Sequence, residues 1–225
     1  VTDEEISNAV FKTFTVRPLK SDEIQDLYVP LDKFRGIGPQ EQNGVIEKMA
    51  AMIRKSHQIG KLTTQVLSGH VGSGKSTELV RLKTSLESEP KKMFVVHCQS
   101  DEDIDRNDVD FPEVLIAIVR QLAKQLLERV SISLKPGYFK SRFQWWKDVF
   151  FADIEFDKLD LSAAFLKIST AIKGSPKARQ QVRTFMEPDT NNLLQTTNDV
   201  IRDATLQLSN KGYAGLVIIV DDLEK

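Results

Sequence analysis

Cysteine is almost absent from this sequence: Cys98 is the single thiol in 225 residues. A lone cysteine cannot close an intramolecular disulfide, so the expected setting is a reducing one, the cytoplasm. Long apolar runs are missing as well. The longest, Val114 to Val119 and Leu216 to Val220, fall far short of the roughly 20 residues that a membrane-spanning helix needs. Nor does one sign of charge dominate. With 31 basic and 32 acidic side chains the net charge is -1, which leaves no electrostatic case for coating nucleic acid or an anionic membrane. No leader with a basic start, an apolar centre and a small-residue cleavage site is legible, and the first residue is Val1 rather than Met, so a processed or trimmed product is expected.

What is present is a succession of short apolar strands and amphipathic helices. Residues 1–62 read as an irregular lead-in, broken into turns by Pro18, Pro30, Gly36, Gly38 and Pro39. It ends in a helix over 40–56, where Val45, Met49 and Ile53 recur at helical spacing and Gly60 supplies the stop. Thr63 to Leu67 is short and partly β-branched and predicts a buried first strand. Leu79, Leu82 and Leu86 predict the next helix, and Met93 to Cys98 a second strand. Two strands joined by a crossover helix form a βαβ unit, so residues 63–130 read as an α/β core with a parallel sheet. Asp110 and Glu113 have the spacing of a capping box, ahead of a stripe formed by Phe111, Leu115, Ile118, Leu122 and Leu126.

Residues 131–190 fit neither period and predict a mostly helical insertion, bounded by Gly174-Ser175-Pro176 and Glu187-Pro188-Asp189. Residues 191–225 return to the core. Leu194, Thr197, Ile201, Ala204 and Leu208 line a helix, Gly212 stops it, and the strand Leu216 to Val220 follows.

The chemistry concentrates in two places. Gly69-His70-Val71-Gly72-Ser73-Gly74-Lys75-Ser76-Thr77 fits G-x-x-x-x-G-K-[ST] between a predicted strand and a predicted helix. A polyphosphate can be approached closely only where side chains are missing and backbone N–H groups converge. The three glycines supply that freedom, and the helix opening at Lys75 adds its positive end. The expected ligand is ATP with Mg²⁺. Lys75 would place its ammonium on the β and γ phosphates and so act catalytically, Ser76 would ligate Mg²⁺, and Thr77 would help to hold the α phosphate.

The second place is the strand end Val220-Asp221-Asp222-Leu223-Glu224. Ligands of open parallel sheets lie beyond the carboxyl ends of the strands. Asp221 is therefore the expected Mg²⁺ carboxylate, acting through a coordinated water, and Asp222 or Glu224 the residue that polarises the attacking water.

With both motifs in view, the chain resembles P-loop NTPases of the additional-strand, catalytic-acid division, which holds the AAA+ and STAND ATPases. The phrases SGHVGSGKSTELVRL and GLVIIVDDLEK are similar in style to those of bacterial signal-transduction ATPases. The resemblance implies a three-layer sandwich around a parallel sheet, ATP binding, slow hydrolysis and nucleotide-controlled assembly, in bacterial stress or antiphage signalling. It implies ATP and ADP as ligands, and self-association or an effector domain outside this chain as partner. It also implies an adenine contact from the stretch Tyr28 to Arg35. The chain departs from the pattern in two respects. Roughly 145 residues separate Lys75 from Asp221, and the sequence stops directly after the acidic strand, so a fragment of a longer ATPase is expected. A phosphotransferase and a non-hydrolysing switch are the alternatives.

Other constellations point less far. Arg179 and Arg183 share one helix face, as a solvated pair or as arginine fingers for a neighbouring subunit. Trp145 and Trp146, with Phe143, Phe150 and Phe151, compose either a docking patch or a local core. His57, His70 and His97 have no metal-ligand spacing with Cys98, and zinc is not expected.

Overall fold

The computed structural model describes residues 17–29, 44–88, 90–99, 104–105, 108–134, 169–186 and 190–221. The chain is α/β and divides into two units, Val1–Lys91 and Lys92–Lys225. No helix among the described residues is long and apolar enough to cross a membrane.

The first unit contains α1 (Ile24–Leu27), α2 (Val45–Gln58) and α3 (Lys75–Leu86). α2 packs against α3, and the buried residues are Ile46 and Ala50 on one helix and Leu82 and Leu86 on the other. The line of burial on α2 therefore runs one residue away from the expected stripe, and Val45 is exposed. Gly60 ends α2 as the sequence predicts. At φ +67° it donates its N–H to the carbonyl of His57, while Lys61 donates to Ser56. This is the paired bonding of a Schellman stop, which needs a residue at ease in the left-handed region.

The strand expected over 63–67 is not formed. Residues 61–70 carry no regular structure, and Val66 is 85% and Leu62 104% exposed. β-branched composition marks a segment that suits a pleated, half-buried surface, but a strand exists only in a hydrogen-bonded ladder. Among the described residues no neighbour pairs with this one.

The second unit contains β1 (Phe94–Gln99), α4 (Phe111–Val130), α5 (Pro176–Met186), α6 (Thr190–Asn210) and β2 (Leu216–Asp221). β1 and β2 pair in parallel, in a register that runs from Phe94 opposite Leu216 to Gln99 opposite Asp221. Alternation then sorts the side chains. Phe94, Val96 and Cys98, with Leu216, Ile218 and Val220, face a core shared with Leu115, Leu122 and Leu126 of α4 and Val200, Ala204 and Leu208 of α6. Val95, His97 and Gln99 lie on the opposite face, with Val217, Ile219 and Asp221.

The capping box at α4 is realised. The Asp110 N–H donates to Glu113 Oε2 at 2.9 Å, and Phe111 N–H donates to Asp110 Oδ1 at 2.7 Å. Phe111 itself is 47% exposed, and Ile116, Val119 and Ala123 join the buried set. In α6, Thr197, Ala204 and Leu208 are buried as expected, whereas Leu193 is buried and Leu194 exposed. Gly212 closes α6 at φ +85°, donating to Ser209 while Tyr213 donates to Leu208. The chain then turns into β2 through Phe94 N–H to Gly215 O at 2.8 Å, and the Tyr213 ring meets Phe94 edge-on.

Of the stretch expected as an insertion, residues 135–168 and 187–189 lie outside the described residues, and with them Phe143, Trp145, Trp146, Phe150 and Phe151. Of the described part, residues 169–174 and 176–186 are helical while 131–134 are not, and Ile172 and Val182 belong to the same core as β1 and α4. Ser175 caps α5 by accepting the Ala178 N–H at 3.2 Å, ahead of Pro176 at the first helical position.

Arg179 is buried, Arg183 is half-buried, and both are held in ion pairs within this chain. Arg179 is 4% exposed, pairs with Asp105 and Asp108, and donates to the carbonyl of Ile172. Arg183 bonds Asp108 and Glu113. Their partners lie about 70 residues away in sequence, so helical spacing alone does not reveal them. Both guanidinium groups fasten α5 to the start of α4.

Candidate functional site

The phosphate-loop motif lies wholly within the first unit. His70 to Ser73 makes a turn, closed by Ser73 N–H to His70 O at 3.1 Å. Gly72 and Gly74 have φ of +77° and +86°, and a Cβ added to either would meet nothing within 4 Å. These two glycines are thus required by backbone conformation and not by crowding. At Gly69 the constraint is space, since a Cβ there would come within 3.0 Å of Ser73 Oγ.

Gly74 is the N-cap of α3 and offers no side chain to the first turn. The amides that open any helix have no intrahelical acceptor, and a Ser or Asp at this position would occupy one of them. Here the donors of Lys75, Ser76 and Thr77 stand at the positive end of the helix without that cap. The Lys75 side chain folds back over the loop, with Nζ donating to the carbonyls of Gly69 at 2.9 Å and His70 at 3.0 Å. The ammonium therefore sits on the loop itself. Residues 69–74 are exposed, while Lys75, Ser76 and Thr77 are half-buried.

The chain ahead of the motif is fastened to α3. The Leu19 N–H donates to Thr77 Oγ1 at 3.3 Å. The Tyr28 hydroxyl donates to Glu78 Oε1 at 2.7 Å and accepts from Arg81 Nη1 at 2.6 Å, and the Arg81 guanidinium lies 4.1 Å above the Tyr28 ring. Burial opposes the Arg81 charge, yet Glu78 and Glu47 hold its pKa above the ordinary value. Of the stretch expected to meet adenine, Tyr28 and Val29 are described and the remainder is not. Sequence reasoning missed both Leu19 and Arg81. Arg81 lies one helical turn beyond Thr77, which was the available signal.

The acidic strand end lies in the second unit. Asp221 is the last residue of β2, is 7% exposed, and stands in register with Gln99. Its Oδ2 is 3.5 Å from His97 Nε2. Asp222 and Glu224 fall outside the described residues. Among the described residues no three His, Cys, Asp or Glu side chains cluster as a metal-binding group. Ser76 in the first unit and Asp221 in the second each offer an oxygen donor, the chemistry that suits Mg²⁺, which takes one or two protein ligands and completes its shell from phosphate and water.

No family model, no curated protein and no solved structure matches this chain. The functional reading therefore rests on the residues.

Proposed function

We propose that this chain is an ATP-binding, Mg²⁺-dependent module of the P-loop type, related to the AAA+ and STAND ATPases, whose nucleotide state controls a larger assembly. The observation that carries the proposal is the conformation of the loop. A left-handed glycine without a side chain opens α3, and the next residue, Lys75, lays its ammonium across the loop carbonyls. Backbone amides, a helix N-terminus and one side-chain cation form an anion nest suited to a chain of phosphates. The parallel pairing of β1 with β2, with helices between them in sequence, supports a three-layer sandwich as the full architecture.

On this reading Lys75 leaves the two carbonyls and neutralises charge on the β and γ phosphates, while the amides that open α3 hold the oxygens between them. Ser76 would be the hydroxyl ligand of Mg²⁺ and Asp221 the candidate Mg²⁺ carboxylate of the acidic strand end; the ion would supply further neutralisation of phosphate charge. Asp222 or Glu224 takes the proton of the attacking water. Thr77, already accepting from Leu19, keeps its own hydroxyl proton for an α-phosphate oxygen.

Release of inorganic phosphate from ATP by the purified chain, with and without small-molecule acceptors, tests the reaction. Free phosphate supports hydrolysis. A phosphorylated acceptor would instead make the protein a kinase, and tight binding without turnover would make it a switch.

A further inference from the structure

We propose that His97 is the positioning residue of the acidic strand end: its imidazole Nε2 fixes the Asp221 carboxylate, and through it the strength of Mg²⁺-dependent nucleotide binding. The inference rests on the reading of Asp221 as the Mg²⁺ carboxylate.

The register places the two residues on one face of the sheet, with Asp221 opposite Gln99 and His97 two residues back along the neighbouring strand. Both side chains are withdrawn from water, at 9% and 8% exposure. Nε2 is fully buried, and among the described residues it has no hydrogen-bond partner. A buried imidazole nitrogen without a partner is costly and uncommon in native proteins. Asp221 Oδ2, at 3.5 Å, is only slightly beyond the 2.7–3.2 Å of a formed N–H···O bond.

The backbone of His97 cannot drift to find another partner. Its N–H donates to Gln125 Oε1 at 3.4 Å, and its carbonyl accepts from Gln125 Nε2 at 3.0 Å. The strand is held by α4 on one edge and by β2 on the other. With its proton on Nε2, the imidazole donates to Asp221 Oδ2 and holds the carboxylate in one orientation. This is how outer partners tune metal-binding carboxylates in general. The sequence gives no sign of it, because His97 and Asp221 are 124 positions apart and meet only through the strand register.

The test is ATP affinity of the full chain, measured by calorimetry in Mg²⁺ and in EDTA, for wild type, His97→Leu, His97→Gln and Asp221→Asn. His97→Leu should lose about ten- to hundredfold in the Mg²⁺ arm and nothing in EDTA. His97→Gln, which retains an N–H donor, should recover most of that loss. The double variant with Asp221→Asn should lose no more than Asp221→Asn alone. Equal affinities of His97→Leu and wild type in Mg²⁺ would overturn the proposal, as would losses that multiply in the double variant. A wild-type chain that binds no nucleotide in either arm would defeat the proposed function instead. The contact is then decided by imidazole nitrogen spectra: an Nε2–H tautomer whose signal moves in Asp221→Asn supports it, and a signal indifferent to that substitution overturns it.

Discussion

Gln125 makes to the His97 backbone the two bonds that a neighbouring strand would make. Its side-chain amide both accepts from the His97 N–H and donates to the His97 carbonyl, at 3.4 and 3.0 Å, and Arg129, one turn along α4, donates to the Val95 carbonyl at 2.9 Å. An edge strand exposes unpaired backbone groups that invite association. Here a helix answers them with side chains, and the Arg129 guanidinium also covers the Phe94 ring at 4.4 Å.

Gln125→Leu should therefore destabilise the chain by about 2 kcal/mol, the net worth of two hydrogen bonds plus the penalty on the backbone groups left behind. Chemical denaturation measures the loss. Amide exchange should accelerate at His97 more than at Val96.

The loop glycines are predicted to respond differently to alanine. Gly74→Ala forces a Cβ into the left-handed region and should cost about 1–2 kcal/mol, with no relief from trimming any neighbour because the space is open. Gly69→Ala conflicts with Ser73 Oγ, so a Gly69→Ala, Ser73→Ala double variant should regain stability lost by Gly69→Ala. Thermal melts of the three variants check both statements.

Acid should loosen α5 from α4. Hydrogen bonds from Arg183 and then Arg179 hold the Asp108 carboxyl below its ordinary pKa. A carboxylate depressed in the folded state contributes stability that is present above its unfolded value, near 3.9, and disappears as pH falls through the folded value. Amide exchange in α5 should rise below about pH 4, and Asp108→Asn should show the loosened behaviour already at neutral pH. An α5 equally protected at both pH values in wild type would contradict the account.

Tyr28→Phe removes the hydroxyl that joins Glu78 and Arg81. The segment 17–29 should then release from α3 more readily, by about 1 kcal/mol. Faster tryptic cleavage after Lys20 is the expected readout.

Local signals were well legible in the sequence. Gly60 and Gly212 both close helices in the left-handed conformation, and Asp110 with Glu113 forms the capping box its spacing predicts, because each of these depends on residues a few positions apart. The two apolar segments 94–99 and 216–221 were each legible as strands, but the parallel βαβ pairing was expected between 63–67 and 93–98, whereas the ladder formed joins 94–99 to 216–221. What needed long-range information was not. Residues 63–67 have strand composition but no ladder, Arg179 and Arg183 find acids far upstream, and Glu113 spends one carboxylate oxygen on its cap and the other on Arg183. In the candidate site, the glycine and lysine positions could be read directly from their spacing. The neighbour of Asp221 could not, since a change of one residue in register would place His97 on the other face.

The most direct test of the central claim is calorimetric titration of the intact chain with ATP in Mg²⁺, repeated on Lys75→Ala. The account predicts saturable binding that weakens at least about tenfold when the charge-assisted phosphate contact is removed, with the fold unchanged by circular dichroism. Equal affinity in the folded variant, or no uptake of ATP by wild type, would contradict it.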